Sequence, residues 1–150
     1  MSKYQNFTPN QFLKEIQNNP LCFDDFRLDS FQDGNLLKNT VELDPNVFLL
    51  IPKDLISEDV ALAAVKANPA YFDDLPKNAR TSKVKLEVLK DNPCAIEFFD
   101  FDDVDLECVK FLYLNYAEIL DDFDDAKIQR KVDELVAKLK KDGVTEDRGE

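Results

Sequence analysis

The stretch SEDVALAAVKANPAYFDDLP, residues 57–76, contains the pattern that decides the fold of this chain. Ser57 is a good N-cap, because its hydroxyl accepts a hydrogen bond from an amide of the first helical turn. The apolar residues that follow recur at helical spacing as far as Asn68. Asn68 is itself a good N-cap, and Pro69 suits the first position of a second helix, where no amide hydrogen is needed. The stretch predicts a helical hairpin that turns at Asn68 and is ended by Pro76.

The same corner recurs along the chain. Asn-Pro or Asp-Pro pairs begin at Asn19, Asp44, Asn68 and Asn92, a degenerate pair begins at Asn115, and the intervals between successive pairs are 25, 24, 24 and 23. Apolar residues stand three positions before each (Ile16, Val41, Val65, Leu89, Leu112) and four positions after it (Phe23, Phe48, Phe72, Ile96, Ile119). Four N-cap residues stand eleven positions before the first four pairs: Thr8, Asp33, Ser57 and Thr81. A nearly constant period of this length predicts structural repeats.

A hairpin of about 24 residues cannot cover its own apolar face, so neighbouring hairpins must cover it. We therefore predict an all-α fold, a short solenoid of two-helix repeats at about 8–32, 33–56, 57–80, 81–103 and 104–125, within a single domain spanning 1–143. In the last repeat Val104 takes the cap position, with Asp103 one place earlier. An irregular helical bundle with chance Asn-Pro pairs is the alternative.

A longer amphipathic helix is expected to close the array at 126–141. Its apolar stripe consists of Ile128, Val132, Leu135, Val136 and Leu139. Lysines near its end suit the helix dipole, and Gly143 is a typical stop signal. Residues 144–150 are expected to form a flexible tail.

The segments SEDVALAAVKANP and SKVKLEVLKDNP resemble a family of two-helix repeats, with a period close to that of this chain, that is known as a domain of unknown function. The leucine-rich repeat variant family has a similar period and a similar asparagine-proline corner. The resemblance covers roughly residues 8–125 and rests on structural motifs. It implies a right-handed helical array with a binding role, and it transfers no catalytic residue.

The formal charge of −12, from 31 acidic and 19 basic residues without histidine, repels nucleic acid and anionic membranes and favours basic partners. The N-terminal segment lacks the apolar core of a signal peptide, and no run of about 20 apolar residues is present. Three widely spaced cysteines (Cys22, Cys94, Cys108) then indicate buried thiols in a reducing cytoplasm. The sequence leaves the oligomeric state open.

We expect no catalysis, no cofactor and no metal centre. The chain has no histidine, no closely spaced cysteine pair and no phosphate-binding glycine loop. The segment FDFDDVDLE, residues 99–107, has four aspartates (Asp100, Asp102, Asp103 and Asp105) but lacks the central glycine and the twelfth-position glutamate of a calcium loop. A weak cation site there remains an alternative.

Acidic residues concentrate in one segment. Residues 95–125, which we call the acidic segment, contain eleven acids and one lysine, a net charge of −10. Two aspartates of the third repeat occupy the fifth and sixth positions after its corner. The candidate partner-binding residues are Asp73, Asp74, Glu97, Asp100, Asp102, Asp103, Asp105, Glu118, Asp121, Asp122, Asp124 and Asp125. In the second repeat the same two positions hold Leu49 and Leu50, which are expected to pack under a neighbouring turn or, if exposed, to form an apolar anchor.

Two functions fit this pattern. In the first, the acidic residues bind a basic protein, such as a DNA- or RNA-binding protein, and mimic nucleic acid as an inhibitor, like the anti-defence proteins of phages. In the second, the chain is a general protein-binding scaffold that uses an apolar or concave surface, and its acids serve solubility.

Overall fold

The structure, a computed structural model, describes residues 4, 6–19, 21–28 and 34–144, and most of these residues are in helices. No strand occurs in these residues. Asp33 and Pro20 lie outside them, so the cap expected at Asp33 and the first proline corner are not described, nor is most of the expected tail. Within the same ranges no helix has the length and apolar character that a membrane span requires.

Seven α-helices form the framework of the described residues. They are α1 Pro9–Asn18, α2 Cys22–Leu28, α3 Gly34–Leu43, α4 Glu58–Ala67, α5 Ser82–Asp91, α6 Leu106–Asn115 and α7 Ala126–Lys141. Helices α3 to α6 have equal lengths, and their first residues are numbered 34, 58, 82 and 106. The interval from one of these helices to the next is therefore 24 in every case.

The second helix of the first hairpin, Cys22–Leu28, is an α-helix, whereas the hairpins that begin with α3 to α6 each have 3₁₀ helices in that place, a distinction that the sequence pattern did not make. Six-residue 3₁₀ helices occupy Pro45–Leu50, Pro69–Asp74 and Pro93–Phe98, and three-residue ones occupy Lys53–Leu55, Lys77–Ala79 and Phe101–Asp103. A five-residue one follows α6 at Ala117–Asp121. Short runs tolerate the poorer hydrogen-bond geometry of 3₁₀ helices. Each six-residue run has its corner on one side and extended backbone on the other, so it cannot lengthen.

The predicted corner is confirmed, because its residues share one geometry. Asp44, Asn68 and Asn92 have φ between −154° and −143° and ψ between 94° and 106°. Each side-chain oxygen accepts a hydrogen bond from the amide two residues later, at 3.1–3.2 Å. Asn19 has φ −146° and ψ 86° and accepts from the Leu21 amide at 3.3 Å. The extended corner residue ends the α-helix, and its side chain orients the 3₁₀ helix that follows.

The fifth corner differs from the prediction. Asn115 is the last residue of α6, and its side-chain amide donates to the Phe111 carbonyl at 2.8 Å. Tyr116, one full repeat period after Asn92, has the corner φ of −147°. The corner of this repeat is therefore Tyr116 and not Asn115.

The expectation that Val104 takes the cap position of α6 is wrong, because it counted back from Asn115. Asp105, one full repeat period after Thr81, caps α6 by accepting from the Cys108 amide at 2.9 Å. Taking Asn115 as the corner had placed both the corner and the cap of this repeat one residue too early.

The chain divides into two compact parts, Met1–Val84 and Lys85–Glu150. In the N-terminal part α3 contacts both α1 and α4, so successive first helices pack side by side. Tyr4 and Phe12 lie in a cluster of aromatic rings, and Val41 and Val65 are buried farther along. In this part, the apolar residues predicted three positions before each corner, such as Val41 and Val65, therefore lie in the core.

In the C-terminal part, α6 and the 3₁₀ helix after it pack against α7. The helix expected at 126–141 is confirmed with those bounds. Ile128, Val132 and Leu139 of its stripe are buried. Gly143 follows with φ +84°, and the amides of Gly143 and Val144 donate to the carbonyls of Lys140 and Leu139. This pairing is the Schellman motif, in which glycine adopts the left-handed conformation at no steric cost.

Candidate functional site

Most carboxylates of the acidic segment lie at the surface of the C-terminal part. Of its eleven acids, one is buried (Asp103) and one is half-buried (Asp105), which leaves nine exposed. Those among the candidates are Glu97, Asp100, Asp102, Glu118, Asp121, Asp122, Asp124 and Asp125. Half of these candidates lie within 3₁₀ helices, on the side turned away from buried residues such as Ile96 and Leu120, and the other half lie in the turns beside those helices.

Asp103 is a correction to the candidate list. It is 7 % exposed and its carboxylate lies 4.0 Å from the ammonium of Lys85, a residue that is itself buried. A carboxylate in this position has no access to a partner protein. Burial of a charge is tolerated where an opposite charge and hydrogen bonds compensate for lost hydration, so the position of Asp103 near Lys85 is a structural one.

Asp105 also has a structural role. One carboxylate oxygen accepts from the Cys108 amide at 2.9 Å, and the other accepts from the Lys85 ammonium at 3.0 Å. Partial burial alone would raise the pKa of Asp105, but these hydrogen bonds and the charge of Lys85 outweigh it and hold the pKa below its ordinary value. The ionised carboxylate is thus the form that the fold requires.

Asp125 is exposed, yet it caps α7. Its carboxylate accepts from the amides of Lys127 and Ile128 at 2.8 and 3.4 Å. Substituting it would change helix stability together with surface charge. Asp122 and Asp124 are also exposed. Asp122 is the C-cap residue of the 3₁₀ helix Ala117–Asp121, but neither side chain is the N-cap acceptor of α7, so substituting them tests surface charge more directly.

The two acidic candidates of the N-terminal part are flanked by cations. Asp73 and Asp74 are exposed, but the Arg80 guanidinium donates to the Asp73 carbonyl at 3.3 Å. The Lys53 ammonium donates to the Asp74 carbonyl at 3.1 Å. These two positive charges reduce the negative potential near Asp73 and Asp74, so this pair suits a basic partner less well than the acidic segment does.

Phe98 is a surface residue that the sequence reasoning missed. It is 77 % exposed, and it lies in the acidic segment between Glu97 and Asp100, both exposed. It occupies the sixth position after the Asn92 corner, the position held by Leu50 and Asp74 in the two preceding repeats. This position faces solvent in all three repeats. The place of Phe98 in the repeat could therefore have predicted that its ring is exposed.

Leu49 and Leu50 are exposed, by 59 % and 51 %. The expectation that they pack under a neighbouring turn is wrong, because the six-residue 3₁₀ helix turns its fifth and sixth residues outward. Leu49 borders a small cavity of about 110 Å³. Its other lining residues are Phe48, Ile51, Lys53, Ile56 and Asp74. This gives an apolar rim with one lysine and one aspartate.

Two of the three cysteines are shielded from solvent. Cys22 and Cys108 are buried, whereas Cys94 is exposed, contrary to the expectation that all three are buried. Burial, with the nearby charge of Asp105, raises the pKa of the Cys108 thiol far above its ordinary value. The Cys108 thiol is therefore protonated and a poor nucleophile.

Within the described ranges, no group of three or more histidine, cysteine or acidic side chains is arranged to hold a metal ion. Comparison with protein-family models, curated proteins and solved structures finds no match to this chain. The resemblance to two-helix repeat families stays a prediction. What the geometry offers is a surface for recognition: exposed carboxylates with an exposed ring among them, and separately a pair of exposed leucines.

Proposed function

We propose that this protein is a non-catalytic helical repeat protein whose acidic segment binds a basic protein. The observation that carries the proposal is the exposure of nine carboxylates within residues 95–125, together with the exposed ring of Phe98. Crowding like charges costs folding stability through self-repulsion. A basic partner that neutralises them would recover that cost on binding.

The proposed architecture is a short solenoid of stacked repeats. Its support is the constant period of α3 to α6 and the shared backbone geometry of the corners at Asp44, Asn68 and Asn92. In the N-terminal part, the contacts of α3 with α1 and α4 are those expected between neighbours in such an array. Stacked repeats present equivalent surface positions at a regular spacing, which suits an extended partner.

Phe98 adds an apolar aromatic surface to the exposed carboxylates around it. Charged side chains at an interface mainly steer association and set specificity, whereas buried aromatic residues contribute much of the affinity. The guanidinium of an arginine can stack on an aromatic ring while it pairs with a carboxylate. Phe98 with Glu97 and Asp100 as sequence neighbours therefore suits an arginine-containing surface.

We further propose that the basic partner is a DNA- or RNA-binding protein and that the acidic segment inhibits it by occupying its nucleic-acid site. Two neighbouring repeats span on the order of 20 Å, over which duplex DNA carries roughly 12 phosphate charges. The net charge of −10 in the acidic segment is of similar size. Such a complex would form quickly at low ionic strength and weaken steeply with salt.

The test is a capture experiment with the full chain at low salt, followed by identification of the bound proteins and measurement of association rates. The variant Asp122→Asn/Asp124→Asn should slow association, and Phe98→Ala should speed dissociation. The matched control Glu42→Gln/Asp59→Asn removes the same charge from exposed positions of the N-terminal part and should leave the rate nearly unchanged. Duplex DNA or RNA should compete with the protein for its partner.

A partner that is retained equally at high salt, and by both the acidic variant and Phe98→Ala, would show that the acidic segment is not the binding site. A partner that binds normally but is not displaced by nucleic acid would retain the binding role and exclude the mimic.

The second candidate function is a general scaffold that binds through Leu49 and Leu50. The exposure of both side chains beside an apolar cavity favours it. In that case Leu49→Asp/Leu50→Asp should abolish capture while Asp122→Asn/Asp124→Asn has no effect. The control Leu21→Asp/Leu43→Asp changes two other exposed leucines of the same part and should bind like the wild type.

A further inference from the structure

A basic pocket lies on α7 in the C-terminal part, in contrast to the negative charge of the chain as a whole. Its volume is about 300 Å³. Its lining residues are Phe101, Lys127, Arg130, Lys131 and Glu134. Three cations against one carboxylate give the pocket a local charge of +2. Neither proposed function uses this site.

Lys131 and Phe101 form the fixed part of the pocket. The Lys131 ammonium donates to the Phe101 carbonyl at 2.6 Å and lies 4.3 Å from the centroid of the Phe101 ring. Both contacts hold the ring against α7, although 47 % of the residue remains exposed. The pocket thus has a preorganised aromatic wall, and forming it on ligand binding costs little conformational entropy.

Lys127 and Arg130 are the available cations. Neither side chain forms an ion pair with any residue in the part of the chain that the structure describes, although the chain contains 31 acids. The first amides of α7 are already bonded to Asp125, so the helix end itself is not the binding element. Two cations one helical turn apart, beside an exposed ring, are arranged to bind an anionic group.

We propose that this pocket binds a small organic phosphate that carries a flat ring, of which a nucleoside monophosphate is the fitting class. Lys127 and Arg130 bind the phosphate, the exposed part of the Phe101 ring stacks on the base, and the Glu134 carboxylate accepts from a ribose hydroxyl or an exocyclic amine. The cavity volume lies at the lower end of the range for small-molecule sites. Phe101 belongs to the acidic segment, whereas the other four lining residues belong to α7 and lie outside it.

The test is calorimetric titration of the full chain with AMP, with adenosine and inorganic phosphate as separate arms. AMP should bind at least about tenfold more tightly than either fragment, because charge-assisted hydrogen bonds and stacking contribute together. Arg130→Ala and Lys127→Ala should each weaken AMP binding by about tenfold, and Phe101→Leu should remove the advantage of AMP over phosphate. The matched control Lys138→Ala removes the same charge from an exposed position of α7 outside the pocket and should bind AMP normally.

No detectable binding of AMP would overturn the proposal. Equal binding of AMP and inorganic phosphate, or equal weakening by Lys138→Ala and Arg130→Ala, would also overturn it, because either result assigns the binding to general charge. Circular dichroism of each variant, with an unchanged unfolding midpoint, shows that a loss of binding is not a loss of fold.

Discussion

The ammonium of Lys85 lies 3.0 Å from a carboxylate oxygen of Asp105, and the Lys85 side chain is almost completely shielded from water. Lys85 is in α5 and Asp105 caps α6, so this pair links two helices that are separate in sequence. The buried Asp103 lies 4.0 Å from the same ammonium. One cation therefore lies beside one buried and one half-buried carboxylate of the C-terminal part.

Lys85→Met should lower the free energy of unfolding by on the order of 3 kcal/mol, because it removes the ammonium beside one buried and one half-buried carboxylate. Urea unfolding followed by circular dichroism measures the change. The control Lys90→Met removes an exposed lysine of the same helix and should change stability by less than about 0.5 kcal/mol. Equal effects of the two substitutions would show that the ion cluster contributes nothing specific.

Stability should depend on pH through Asp105 in the acid range. Its pKa in the folded chain lies below the ordinary value of 3.8, so the unfolded chain takes up the proton at higher pH than the folded chain. The stabilisation is fully present above that value and is lost as pH falls through the lower folded pKa. Asp105→Asn should therefore give a shallower fall of unfolding free energy below about pH 4, and an unchanged slope would contradict the assignment.

Asn92→Ala should destabilise the C-terminal part by about 1 kcal/mol, because the Cys94 amide loses the side-chain acceptor that it has at 3.2 Å. Asn92→Asp retains an acceptor and should cost much less, since aspartate forms the same corner at Asp44. Thermal unfolding of both variants makes the comparison. If alanine and aspartate are equally tolerated, the side chain does not hold the corner.

Ile96 and Phe98 provide a matched pair in one 3₁₀ helix. Ile96 is fully buried and Phe98 is 77 % exposed. Ile96→Ala should cost about 2–5 kcal/mol through lost burial and the cavity left behind, whereas Phe98→Ala should change stability by less than about 0.5 kcal/mol. Chemical denaturation measures both, and a large loss for Phe98→Ala would mean that its ring packs in the fold rather than faces a partner.

The repeat was predictable because its determinants act locally. Asn68 caps through an amide two residues away, and Pro69 is compatible with the first position of a helix whatever surrounds it. The choice between α and 3₁₀ geometry at Pro69–Asp74 was not predictable, because both place an apolar residue such as Phe72 inward over so short a run.

The position of the fifth corner, at Tyr116 and not at Asn115, was not predictable from local sequence. Asn115 is of the residue type found at the other corners. However, α6 has the same length as α5 only if Asn115 is its last residue. Tyr116 then takes the corner backbone without any side-chain cap. Helix length, set by packing of Leu112 and Tyr113 in the core, prevailed over the local signal.

The amino-acid sequence by itself determined the helical class, the repeat period and the negative charge of residues 95–125, because caps, apolar spacing and charge are properties of short segments. Only the tertiary structure decided which carboxylates face water. Asp102 and Asp103 are adjacent and chemically identical, yet the first is exposed and the second is buried near Lys85. The reason is that burial depends on which side chains the fold brings together from positions far apart in the chain.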